Sequence, residues 1–122
     1  MKIRLFFALA SLLLLAACGQ RVDHPIAMGD GFGREWSGAP GQVRISVNNR
    51  LTREIVAHVD APKAHYEITV GPGHQRHMIV PDAENNFKFS LYYSDGKEVG
   101  GNYMETDDRN GAKGRLIDIG NP

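Results

Sequence analysis

The chain has 122 residues, with 14 Lys and Arg balanced by 14 Asp and Glu, so its formal net charge is zero. This length allows one small domain with one modest core. A balanced charge without a basic run offers no electrostatic footprint for nucleic acid, which excludes nucleic acid as a partner.

The first 17 residues have the three parts of an export signal. Lys2 and Arg4 form a basic start, an apolar run extends from Leu5 to Ala17, and small residues precede Cys18. The run is too short to cross a bilayer, which takes roughly 20 apolar residues. We therefore expect residues 1–17 to be a cleaved signal peptide.

The end of this run, Leu15-Ala16-Ala17-Cys18, resembles the lipobox of bacterial lipoproteins. The resemblance implies that signal peptidase II cuts before Cys18 and that its thiol receives a diacylglyceryl group. The lipidated Cys18, with palmitate among its acyl chains, is expected to anchor the protein to a membrane. Gly19, in place of an aspartate, favours the outer membrane, facing the periplasm, over the inner membrane. The alternative is an ordinary secreted protein whose one cysteine stays a free thiol.

Residues 18–41 are rich in glycine and show no apolar periodicity. We predict that they form a flexible tether after the acylated Cys18. A coil of about 23 residues would separate its ends by roughly 25–30 Å and hold the domain away from the lipid. Phe32 and Trp36 stand inside this stretch.

From Gln42 onward, apolar residues alternate with polar ones, as in strands with one buried face. Gly, Pro and Asn turns separate the runs at intervals of about 8–12 residues. The pattern predicts an all-β domain over residues 42–122, an antiparallel β-sandwich of immunoglobulin-like or transthyretin-like type. Its seven expected strands are centred on Val43–Val47, Ile55–Val59, Tyr66–Val70, Met78–Val80, Phe87–Tyr93, Val99–Tyr103 and Ile117–Ile119.

A candidate metal site arises if the second and third strands form a hairpin around Ala61–Ala64. Asp60 would then lie opposite His65 and His58 opposite Glu67, with all four side chains on one face. Two imidazoles and two carboxylates at cross-strand distance can bind a divalent metal or form a pH-sensitive patch. The alternatives are an ordinary solvated face, or two strands in different sheets, which would separate the four residues.

Other candidates for chemistry are weaker. His74 and His77 would point to opposite faces of a strand, and pairing of His65–Val70 with Gln75–Val80 would leave His77 facing Ile68. Residues 105–111 lack the ligand spacing of a calcium loop, and no serine stands in a nucleophile motif. We therefore expect no catalytic residues and no cofactor.

Trp36 and Tyr92 are the candidate partner-binding residues, because aromatic rings outside the core pattern often mark partner sites. The sequence thus favours a non-catalytic module that binds an envelope protein or supports an envelope assembly. The plan loosely resembles the outer-membrane lipoprotein of type VI secretion, a transthyretin-like sandwich behind an acylated cysteine. The alternative is a periplasmic lipoprotein that binds a small ligand or metal.

Overall fold

A computed structural model describes residues 21–100 and 104–120 of the chain. The predicted signal peptide, the lipobox-like residues and Cys18 lie outside these ranges. No helix in the described ranges has the length and apolar character needed to cross a membrane. The described residues form eight strands: β1 (Ala27–Asp30), β2 (Gln42–Asn49), β3 (Ile55–Ala61), β4 (Ala64–Val70), β5 (Gln75–Pro81), β6 (Lys88–Tyr93), β7 (Met104–Thr106) and β8 (Gly114–Ile119).

The strands form two sheets, which confirms the predicted all-β sandwich. One has five strands in the order β1-β5-β2-β8-β7, and the other has three in the order β4-β3-β6. All neighbours are antiparallel except β2 and β8, which are parallel. Six of the seven predicted strands appear, and β1 and β7 are additional. Of the expected strand 99–103, Val99 is buried against the core and residues 101–103 lie outside the described ranges.

The core lies between the sheets and is built from the alternating apolar residues of both. Each such side chain, when buried, contributes about 1.5–3 kcal/mol. The three-stranded sheet supplies one inner face and the five-stranded sheet the other. The fully buried members include Ile45, Val47, Met78, Val80 and Ile117 from the larger sheet and Ile55, Ala57, Val59, Val70 and Leu91 from the smaller one.

The sequence is compatible with a hairpin of β4 and β5 around Gly71–His74. This hairpin does not form, because β5 does not pair with β4. The turn instead carries the chain to the other sheet, where β5 lies between β1 and β2. Asn49 stabilises this connection between the sheets. Its buried side-chain amide donates hydrogen bonds to the carbonyl oxygens of Arg53 at 2.8 Å and Val70 at 3.0 Å.

The described part of the glycine-rich stretch is folded onto the domain, so the tether prediction is wrong for it. Strand β1 pairs with β5, and Ser46 donates a hydrogen bond to the carbonyl oxygen of Phe32 at 2.5 Å. Gly33 has a φ of 68°, and a Cβ there would lie 2.5 Å from the His77 ring. Its glycine therefore permits a close approach of backbone and ring. The folded domain begins well before residue 42.

Candidate metal centre

The hairpin of β3 and β4 has the register predicted from the sequence. His58 pairs with Glu67 and Asp60 pairs with His65, and both strands belong to the three-stranded sheet. Val59 and Tyr66 point into the core, so alternation turns these four side chains to the outer face. The structure therefore brings the four predicted residues together.

Three ligand atoms converge on this face. The Nε2 atom of His65 lies 3.2 Å from one carboxylate oxygen of Glu67, and the Nε2 atom of His58 lies 3.7 Å from the other. Ligand atoms of the three residues all lie within 4.8 Å of one another. Two ligands on a tetrahedral ion with bonds of about 2.1 Å are roughly 3.4 Å apart. Small side-chain movements would therefore let all three residues bind one ion.

Asp60 fixes the orientation of the His65 ring. Its carboxylate oxygen lies 2.5 Å from Nδ1 of His65, which places the Nδ1 proton in that hydrogen bond and directs Nε2 toward Glu67. Metal-binding histidines usually donate their second ring N–H to a carboxylate or carbonyl in this way. Asp60 is thus a positioning residue, and His58, His65 and Glu67 are the candidate ligands.

The two carboxylates also change the protonation of His65. Burial is the largest single influence on the pKa of His65 and lowers it. The hydrogen bonds and negative charges of Asp60 and Glu67 together outweigh burial and raise this pKa above 6.5. The environment therefore favours a positive charge at Nε2, which a bound cation can supply in place of the proton.

Tyr92 belongs to the same face. It comes from β6, and its ring meets the His58 ring edge-on, with ring centroids 4.9 Å apart. This contact limits the rotation of His58. Trp36 is half-buried in the segment that lies over the five-stranded sheet, so the two predicted partner-binding aromatics belong to opposite faces of the sandwich. Sequence reasoning missed the link between Tyr92 and His58, which depends on the pairing of β3 with β6.

The segment before β1 closes one side of the site. The backbone N–H of Asp23 donates to the carbonyl oxygen of His65 at 2.7 Å, and the Asp23 carboxylate accepts from the N–H of His65 at 3.0 Å. His65 is 7% exposed although it lies on an outer face. An open groove of about 910 Å³ next to it is lined by residues that include Arg21, Lys63 and Lys88.

The remaining candidates do not join the centre. His74 is exposed, and Nδ1 of His77 lies 3.1 Å from the carbonyl oxygen of Gly31 on the five-stranded sheet. In the segment 105–111, Arg34 and Arg44 donate hydrogen bonds to the carboxylate of Asp107, which makes it a poor calcium ligand. Within residues 21–100 and 104–120, one group of three potential metal ligands converges, His58, His65 and Glu67.

Comparison of the sequence with protein-family models found no match, and searches for similar curated proteins and similar solved structures found none either.

Proposed function

We propose that this protein is a lipid-anchored envelope protein whose β-sandwich binds one divalent transition-metal ion. The observation that carries the proposal is the convergence of His58, His65 and Glu67 ligand atoms within 4.8 Å. The hydrogen bond from His65 to Asp60 supports it, because it prepares Nε2 for a metal.

The donor set favours Zn²⁺ and neighbouring ions. Two imidazole nitrogens and one carboxylate oxygen suit Zn²⁺, Cu²⁺, Ni²⁺ or Fe²⁺ rather than Mg²⁺ or Ca²⁺, which prefer oxygen ligands. Three protein ligands leave at least one position for water or for a group from another molecule. We propose reversible binding rather than catalysis as the role of the site.

Zinc titration by calorimetry tests the metal site. The mature protein, purified with its lipid in detergent, should bind one zinc ion per chain. His58→Ala should weaken binding at least about tenfold, because it removes a ligand. His74→Ala is the matched control, since it removes an exposed imidazole from outside the centre. Unchanged zinc affinity in His58→Ala would contradict the proposal.

The anchoring half of the proposal is supported by the lipobox ending in Cys18, the one cysteine of the chain. Acylation there should appear as incorporation of radiolabelled palmitate, and the anchored protein is proposed to face the periplasm from the outer membrane. Cys18→Ala should abolish incorporation and leave unprocessed precursor. Normal processing of Cys18→Ala would contradict acylation.

A second candidate is a protein-interaction module, favoured by the outer edge of β7, which pairs with no strand among the described residues other than β8. This strand forms one edge of the five-stranded sheet, its three residues are exposed, and Met104 is 43% exposed. Such an edge can accept a strand from a partner. A type VI secretion assembly would be one such setting. Crosslinking in cells separates the candidates: one stoichiometric protein adduct favours this role, and metal without an adduct favours the first.

A further inference from the structure

The first observation concerns how little free chain connects the folded domain to Cys18. Asp23 is already hydrogen-bonded to both backbone groups of His65. Five residues, fully extended, reach about 18 Å. Strand β3 alone, with seven residues, is about 23 Å long. The chain between Cys18 and Asp23 is therefore shorter than the domain and keeps Asp23 within about 18 Å of the lipid attachment point.

The second observation is where this short connection joins the domain. Asp23 meets His65 near the start of β4, and the N–H of Ile26 donates to the carbonyl oxygen of Ile79 near the end of β5. The β3–β4 turn around Pro62 lies at the same end of the sandwich, which we call the Pro62 end. Thr52 precedes β3 and therefore lies at the opposite end, the Thr52 end.

The third observation is the chemistry of the surface near the Pro62 end. Val22 is 48% exposed and Ile26 is 53% exposed, so two large apolar side chains face outward close together in the sequence. The groove at this end is lined by three basic residues, Arg21, Lys63 and Lys88, and by the acidic residues Asp23 and Asp60. Arg21 pairs with Asp23, whereas Lys63 and Lys88 form no ion pair with the part of the chain that the structure describes. Apolar side chains flanked by cations match an interfacial lipid layer with anionic headgroups.

From these observations we infer that the Pro62 end lies directly on the lipid surface, with Val22 and Ile26 at the acyl boundary and Lys63 and Lys88 over the headgroups. This inference rests on the acylation of Cys18 in the proposed function and does not require metal binding. A lipid surface is the favoured occupant because the attachment point of the acyl chains lies within about 18 Å of Asp23, the neighbour of Val22.

Fluorescence quenching in vesicles tests the orientation. Acylation uses the one cysteine, so Pro62→Cys or Thr52→Cys supplies a single free thiol for a fluorophore. The full-length acylated protein is reconstituted into vesicles that contain phosphatidylglycerol and a lipid with a nitroxide on its headgroup. We expect several-fold stronger quenching at residue 62 than at residue 52.

Additional variants test whether Val22 and Ile26 are the side chains that contact the lipid. Val22→Ser combined with Ile26→Ser should reduce the quenching at residue 62. Met104→Ser is the control, because it removes an exposed apolar side chain elsewhere on the domain, and should leave the quenching unchanged. Equal quenching at residues 62 and 52 in protein that still floats with the vesicles would overturn the inference and leave acylation standing. Failure of the protein to float would overturn acylation and this inference together. Zinc titration of the same samples reports on the metal site separately.

Discussion

Replacing Asp107 with alanine tests the most heavily buried charge of the fold. Arg44 lies on β2, and its side chain is fully buried. Its guanidinium donates to the Asp107 carboxylate at 2.6 Å and to the Asp107 carbonyl oxygen at 2.7 Å. Its Nη1 has no hydrogen-bond partner in the described residues. Asp107→Ala therefore leaves a buried cation without its neutralising carboxylate.

The expected loss of stability is large. Removing one partner of a buried ion pair costs about 3–5 kcal/mol, because the remaining charge stays desolvated. Arg34 and Arg109 also contact Asp107, so the variant leaves three guanidinium groups without this anion. For a domain of this size, about 3 kcal/mol lowers the melting temperature by at least about 12 °C.

Thermal and urea unfolding at pH 7 measure this loss. Asp30→Ala is the matched control, because it removes one exposed carboxylate and changes the net charge equally. We expect the control to melt close to the unaltered protein. A melting temperature of Asp107→Ala within about 3 °C of the control would refute the buried-pair argument.

The pH dependence has a defined sign. Burial is the largest influence on the pKa of Asp107 and raises it, but hydrogen bonds and charges from Arg34 and Arg109 outweigh burial and lower it below 3.8. The stabilisation by Asp107 is therefore fully present above the unfolded pKa and is lost as pH falls through the folded pKa. The stability gap between the unaltered protein and Asp107→Ala should narrow below about pH 4.

Three further predictions concern the candidate metal centre and the glycine-rich segment that lies over the five-stranded sheet. Asp60→Ala should weaken zinc binding about 10–100-fold in calorimetry, because it frees the ring orientation of His65, whereas an unchanged affinity would show that Asp60 does not position the ring. Tyr92→Ala should also weaken zinc binding by releasing His58, and Tyr92→Phe, which keeps the ring contact, should retain it. Gly33→Ala should lower the melting temperature, because its Cβ would lie 2.5 Å from the His77 ring; an unaltered melting curve would show that the ring moves away at no cost.

The local parts of this fold could be predicted because they depend on alternation and turn chemistry. The register of the β3–β4 hairpin follows from the short turn at Ala61–Ala64, so the sequence placed His58 opposite Glu67 correctly. The sheet to which β5 belongs depends on tertiary packing. A turn at Gly71–His74 is compatible with both a hairpin and a crossing between sheets, and the apolar pattern of β5 is the same in either case.

The burial of β2 shows a second limit of predicting exposure from the alternation of apolar and polar residues. Arg44, Ser46 and Asn48 alternate with the core residues and look like the solvated face of a strand. In the structure all three are buried, with Ser46 hydrogen-bonded to Phe32 of the glycine-rich segment and Arg44 to Asp107. Glycines that indicate flexibility in a sequence also permit close backbone packing, and periodicity does not distinguish the two. The aromatic residues Phe32 and Trp36 within that segment were the sequence feature that could have indicated packing against the domain.

The packing of the glycine-rich segment onto the domain also changes how the proposed lipid anchor and the candidate metal centre relate to each other. A flexible stretch up to residue 41 would have separated the lipid from the domain and made the two independent. Asp23 instead contacts both backbone groups of His65, five residues after the predicted acylation site. Any force or lipid contact that displaces this segment therefore acts on the strand that carries His65 and Glu67. Asp23 therefore connects the short segment that follows the predicted acylation site to the strand that carries the candidate ligands His65 and Glu67.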